Sequence, residues 1–324
     1  MNSSHRKFRE LIELGHIPKE KIGLARSLVD ISPHGKSWQT FIDQLLLWIG
    51  SLALAFSVVF FIAYNWNDLG QFSKFAMVEG IMVLSVVAYC KFTEGSISSK
   101  VSLFVATVSL GVLLALFGQT YQTGADPWQL FFNWALLMLP WAIIGRFSAL
   151  WVAWVALINV SIVLYYQTFS GVFGLAFSST SAVLWGTFLF NTLAFIAWQF
   201  LATIWKWLAD EWAVRLLAVG SGVPLNWLAL TSILDNPSFI LDFPFLAWLL
   251  WLCAMFYVYR KIRLDMFMLA GCCLSLIIIT VTLFGRHILD LGNAGALLFL
   301  AFMVIGMGAG AALWLKRVQH GGQA

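Results

Sequence analysis

Ten long apolar runs are the feature that most limits how this chain can fold. A helix that crosses a bilayer needs about 20 mostly apolar residues, and in lipid only helices and closed barrels satisfy their own backbone groups. Charged residues make up only 10% of the 324, against about 25% in soluble domains. We therefore predict an all-α, polytopic transmembrane helix bundle. Its predicted spans are residues 41–64, 72–90, 101–118, 128–145, 147–167, 181–204, 212–232, 239–259, 264–284 and 293–315.

The segment before the first run is the one sizeable polar piece of the chain. Residues 1–40 fit two short amphipathic helices, with Gly15 at the break and Pro18 in the first turn of the second helix. We predict a short N-terminal cytoplasmic helical hairpin, which either caps the bundle at the membrane interface or binds a partner. The predicted domains are this segment (1–40), a transmembrane domain (41–315) and a short cytoplasmic tail (316–324).

Lysine and arginine are distributed unevenly between the predicted loops. If the N-terminus is cytoplasmic, 17 of the 19 fall on the cytoplasmic side, and only Lys74 and Arg286 fall on the outer side. Positive residues near a span resist translocation, so this bias sets the orientation. It predicts that both termini are cytoplasmic.

Polar side chains collect on the predicted outer side. The stretch from Gly118 to Trp128 is polar, carries Asp126 and lies between two apolar runs. Asp126 and Pro127 are explained by helix initiation, because Asp is a favoured N-cap and Pro suits the first helical position. Gln119 and Tyr121 have no such explanation and are candidates for binding a ligand.

Glu79 is the strongest single indication of function. It lies about seven residues into the second predicted span, so roughly 10 Å along that helix. A carboxylate at such a depth is costly unless it is paired, protonated or in contact with water. It is therefore either a proton, cation or ligand contact, or a structural ion pair with Lys74 or Arg286. Lys74 and Glu79 are five residues apart, which is a poor spacing for a pair within one helix.

Several kinds of site lack the residues that they need. The chain has no Gly-x-x-x-x-Gly-Lys-Ser/Thr loop, no His-Glu-x-x-His pair and no Gly-x-Ser-x-Gly turn. Its four cysteines lie in or beside apolar runs, so we expect no disulfide framework. We expect no catalytic residue, metal site, cofactor or bound nucleic acid. The amides of Asn159, Asn191 and Asn226 lie within spans and are expected to form interhelical hydrogen bonds.

Two sequence strings together resemble a known family. Ala-Tyr-Asn-Trp closes the first predicted span at residues 63–66, and Gly-Gln-Thr-Tyr closes the third at residues 118–121. With the helical N-terminal segment, they resemble a bacterial family of predicted membrane proteins, domain of unknown function 2157, over roughly residues 10–145. The resemblance implies membrane architecture and a bacterial inner membrane, and it supplies no reaction. The residues that match the motifs are Asn65, Trp66, Gln119 and Tyr121.

These observations favour two functions. The first is transport or small-ligand binding through a polar site on the outer side of the first four spans. The alternative is a scaffold or subunit of an envelope complex, with a membrane or cytoplasmic protein as its partner. An intramembrane enzyme that uses Glu79 and Asp126 as acid and base is a third option that the spacing does not require. The candidate ligand-binding residues are Glu79, Asn65, Trp66, Asp68, Gln119, Tyr121 and Asp126.

Overall fold

A computed structural model describes residues 68–169, 179–235, 238–288 and 294–321, with short pieces between 38 and 64. The chain divides into two compact units, residues 1–74 and 75–324. The predicted N-terminal hairpin and nearly all of the first predicted span lie outside the described residues. Asn65 and Trp66 lie outside them too.

The described residues form long helices and no strand. Nine of these helices are long and apolar enough to cross a membrane, and they confirm the second to tenth predicted spans. The connections that follow Ile204 and Asp235 each contain a 3₁₀ turn, Lys206–Leu208 and Phe239–Leu241. The helices are α1 (Gln71–Lys91), α2 (Ile97–Tyr121), α3 (Pro127–Gly145), α4 (Ser148–Phe169), α5 (Ser179–Ile204), α6 (Glu211–Asp235), α7 (Phe243–Tyr257), α8 (Met266–Ile288) and α9 (Ala294–Gly321).

Local sequence explains where α2 and α3 begin and end. Ser96 caps α2, because its Oγ accepts a hydrogen bond from the Ser99 amide at 3.2 Å. Gln122 follows α2 in the left-handed conformation, with φ of 44°. Asp126 occupies the N-cap position of α3 as predicted, but its side chain makes no capping hydrogen bond. Arg146, the one residue between the predicted spans 128–145 and 147–167, has φ of 48° and ends α3 in a tight hairpin to α4.

The helices of the second unit alternate in direction, so the unit has two ends. Lys91, Arg146, Lys206, Arg260 and Lys316 lie at or near one end, which we call the basic end. Within residues 75–321, Arg286 is the one Lys or Arg near the opposite end. Its guanidinium donates a hydrogen bond to the carbonyl of Ile233, in the last turn of α6. A cation is favourable there because helix carbonyls leave negative charge at the C-terminus.

Indole groups join neighbouring helices inside the bundle. Trp134 of α3 donates from Nε1 to the carbonyl of Thr107 in α2, at 2.8 Å. Trp154 of α4 donates in the same way to Ala135 of α3, at 3.0 Å. A helix carbonyl has a second lone pair that can accept such a bond, so each contact fixes two helices without breaking either one.

Asparagine amides provide further polar contacts between helices, as predicted. Asn159 of α4 and Asn191 of α5 donate to each other's side-chain oxygens, at 3.1 and 2.6 Å. Asn226 of α6 accepts hydrogen bonds from Trp248 of α7 and Ser275 of α8, at 3.2 and 2.7 Å. In lipid an unpaired amide finds no water, so these pairs fix which helix faces meet.

Candidate functional site

The predicted site residues fall in both units. Asp68 belongs to the first unit, where it is exposed in a turn. Glu79, Gln119, Tyr121 and Asp126 belong to the second unit.

A contact between aromatic rings joins two of the helices that carry these residues. The ring of Tyr121 lies 6.2 Å from that of Phe75, so the end of α2 meets the start of α1. Glu79 follows Phe75 by about one helical turn. However, Glu79, Gln119 and Tyr121 are exposed and Asp126 is half-buried. Among the described residues, no hydrogen bond or ion pair holds the Glu79 carboxylate. Three of the four residues therefore lie at the surface of this unit, and we refer to the four together as the patch around Glu79.

A groove of about 870 Å³ lies between α5 and α7. Phe200 of α5 and Leu250 of α7 border it and are 74% and 76% exposed, so the groove opens sideways where lipid would lie. Pockets of about 300–1,000 Å³ are typical of small-ligand sites. Nearly all of its lining is apolar: Trp185, Phe188, Leu189, Thr192, Phe195, Ile196, Gln199, Phe200, Phe243, Leu246, Ala247, Leu250, Trp251, Ala254, Met255, Val258 and Tyr259.

Residue size explains why α5 and α7 leave a groove between them. Both helices pack on α6, with Trp198 of α5 and Trp248 of α7 buried in the core. Gly222 of α6 leaves room for the Trp251 indole, which lies 2.9 Å from where a Cβ on that glycine would be. Ala247 and Ala254 of α7 are seven residues apart and so lie on one face of the helix. These small side chains border the groove, and larger ones would fill it.

A hydrogen-bonded pair stands at the end of the groove nearest the basic end. The amide of Gln199 in α5 donates to the hydroxyl of Tyr259, sixty residues later. Tyr259 is buried and belongs to a π-helical turn, Val258–Ile262, which continues α7. Single π turns within α-helices are often found at functional sites. Here the turn carries the phenol that meets α5.

The same pair borders a second cavity, of about 320 Å³, with a polar wall. This cavity lies at the basic end and includes Thr203, Glu211, Arg263 and Asp265. Because Gln199 and Tyr259 line both cavities, the apolar groove and the polar pocket border the same hydrogen-bonded pair. We call the two together the amphiphile site.

Ion pairs compensate the carboxylates of the polar pocket. Arg215 of α6 contacts Glu211 at 2.7 Å and Asp265 at 3.1 Å. Asp265 also caps α8, since its other oxygen accepts the Phe267 amide at 2.8 Å. Arg263 also lines the pocket, and no carboxylate of the described residues forms an ion pair with it.

The amphiphile site has the chemistry of a binding site. Its groove offers apolar surface and its pocket offers charged and hydrogen-bonding groups, which together suit a molecule with an apolar chain and a polar head. Among the described residues, no group of three or more His, Cys, Asp or Glu side chains could hold a metal ion.

Sequence reasoning missed the residues of the amphiphile site. Gln199 and Thr203 are polar positions within the sixth predicted span, and that was a usable signal. Tyr259 and Arg263 looked like ordinary residues of a span end. Nothing in the sequence pairs Gln199 with Tyr259 or indicates the π turn.

Comparisons with known proteins bear on the N-terminal part of the chain. No curated protein and no solved structure matches this chain. The amphiphile site has lining residues between 185 and 265 and lies outside residues 10–151, the range that matches a family model. The chain is a membrane protein with several spanning helices, and its residues 10–151 match the family described as Predicted membrane protein (DUF2157), which confirms the resemblance.

Proposed function

We propose that this protein binds or moves an amphiphilic small ligand of the bilayer at the amphiphile site. The observation that carries the proposal is the shared border of the groove and the pocket, formed by the hydrogen-bonded Gln199 and Tyr259. The apolar chain of such a ligand would lie in the groove, in surroundings like those of the lipid. Only its polar head would leave water, for the protein groups of the pocket. Such a site needs no passage for a charged group through the hydrocarbon core, which would be costly.

The proposed setting is a bacterial inner membrane with the basic end and both termini cytoplasmic. The excess of Lys and Arg at the basic end supports this orientation. A fluorescent protein fused to the C-terminus should then fold and fluoresce. A fluorescent fusion that is dark, together with a periplasmic phosphatase fusion that is active at the same point, would show that the C-terminus is periplasmic and contradict this orientation.

The patch around Glu79 is a second candidate for ligand binding or transport. It is supported by the Phe75–Tyr121 contact, which joins the end of α2 to the start of α1. Asn65, Trp66 and Asp68 remain candidates on sequence grounds. In this case the carboxylate would be the ionisable group that responds to the ligand.

Glu79→Gln separates the two candidates, because it removes the charge and keeps the size. If the amphiphile site is the functional one, lipid retained by the purified protein should be unchanged, within about twofold, since Glu79 does not border the groove. If the patch transports a ligand, substrate-dependent or proton-coupled flux in liposomes should be abolished. Flux that persists in the variant removes Glu79 from any transport mechanism.

A further inference from the structure

We infer that the ligand of the amphiphile site is an anionic lipid whose phosphate binds Arg263. The inference rests on the proposed function, since it takes the groove as the place of the lipid chain. It adds the chemical class of the ligand and the residue that recognises its head.

The balance of charge within the polar pocket points to an anion. Glu211 and Asp265 are both engaged by Arg215, so neither carboxylate needs a cation from a ligand. Arg263 borders the same cavity, and none of the described carboxylates pairs with it. A guanidinium presents a planar fork of donors that matches two oxygens of a phosphate. The group for which the pocket offers a partner is therefore negative.

The surroundings of the pocket strengthen this preference. Arg260 and Lys261 are exposed in the π turn that also carries Tyr259, and Lys206 is exposed in the turn before α6. Asp210 is the one further acid in those two turns. Basic pockets between spanning helices are typical sites for anionic lipid head groups. The excess of positive charge favours an anionic lipid over a zwitterionic one.

The dimensions of the groove fit a lipid chain better than a small polar anion. Its lining on α5 extends from Trp185 to Gln199, which is about 21 Å of helix. Half of a hydrocarbon core is about 15 Å deep. A chain held along the groove would therefore reach past the middle of the membrane while its head stays beside Tyr259 and Arg263.

The test compares retained lipids by native mass spectrometry of the full-length protein, taken from nanodiscs of equal phosphatidylglycerol and phosphatidylcholine. Wild type should retain phosphatidylglycerol preferentially. In the Arg263→Gln variant, the ratio of retained phosphatidylglycerol to phosphatidylcholine should fall about tenfold, because a charge-assisted hydrogen bond to the phosphate is removed. Lys91→Gln removes an exposed charge from the same end but outside the pocket, and it should keep the preference.

The outcomes separate the inference from the function on which it rests. An unchanged preference in Arg263→Gln, or an equal loss in Lys91→Gln, would overturn the role of Arg263. If wild type retains as much phosphatidylcholine as phosphatidylglycerol, the preference for an anionic head group is refuted, while the groove remains a lipid site. Displacement of the lipid by inorganic phosphate would show a site for free phosphate instead. A wild-type protein that retains no lipid would refute the proposed function itself.

Discussion

Ala254→Trp should remove bound lipid from the protein, with a loss of at least tenfold, or about 1.4 kcal/mol of binding free energy. Ala254 lies on the groove face of α7 and is exposed. An indole at this position would occupy space beside Leu250 and Val258 that we assign to the lipid chain. The measurement is the amount of lipid that remains with the protein after detergent purification, determined by native mass spectrometry.

The neighbouring residue provides a matched control for this substitution. Cys253 is on the same helix and is also exposed, but it does not border the groove. Cys253→Trp therefore adds the same indole to a lipid-facing surface and should leave lipid retention unchanged. If both variants retain lipid like wild type, the groove is not where lipid binds. If both lose it equally, the effect is general and not a property of the groove.

Gly111→Ala should destabilise the bundle by about 3 kcal/mol, because overpacking costs about 1–3 kcal/mol and a lost interhelical hydrogen bond adds about 1 kcal/mol. A Cβ on this buried glycine of α2 would lie closer than 3.0 Å to the indole of Trp134. The indole cannot move away freely, since its Nε1 donates to the carbonyl of Thr107 at 2.8 Å. The measurement is thermal or denaturant unfolding of the purified protein in detergent.

Gly118→Ala is the control for this prediction. Gly118 lies in the same helix, and the nearest atom to its Cβ position is the Thr123 hydroxyl oxygen at 4.0 Å. Alanine should be tolerated there, with a gain of up to about 1 kcal/mol from helix propensity. A Gly111→Ala protein as stable as wild type would mean that α2 and α3 do not meet as closely as described.

The sequence predicts the spans well because membrane thickness fixes their length. The second to tenth apolar runs correspond to α1–α9. Arg146 is the single residue between two of these runs, and it forms the α3–α4 hairpin. The interhelical role of Asn159, Asn191 and Asn226 is also predictable, because an amide in lipid must find a partner.

The candidate site is predictable only in part. The sequence predicts that Glu79, Gln119, Tyr121 and Asp126 lie on one side of the membrane, and the Phe75–Tyr121 contact joins the end of α2 to the start of α1. The expected capping bond of Asp126 is absent, because its side chain makes no such contact. Whether Glu79 acts on a ligand stays a prediction.

The groove could not be predicted, for a physical reason. Lipid chains are as apolar as leucine, so a pattern of hydrophobic residues does not separate buried faces from lipid-facing ones. Leu250 is 76% exposed and Leu252 is 9% exposed, although both are leucines of α7. The groove depends on which of these faces α6, and the polar pocket depends on the contact between Gln199 and Tyr259 across sixty residues.

Photo-crosslinking tests the central claim most directly. Full-length protein in a bilayer would be illuminated with a phospholipid that carries a photoreactive group along its chain, and labelled peptides would be mapped by mass spectrometry. We expect labels to concentrate on the groove faces of α5 and α7, at residues such as Ile196 and Leu250. Excess unlabelled anionic lipid should reduce this labelling by competition. Lipid binding in the groove would be contradicted if labels spread evenly over all exposed helix faces, including Val83 and Leu84 of α1, and if the competitor left them unchanged.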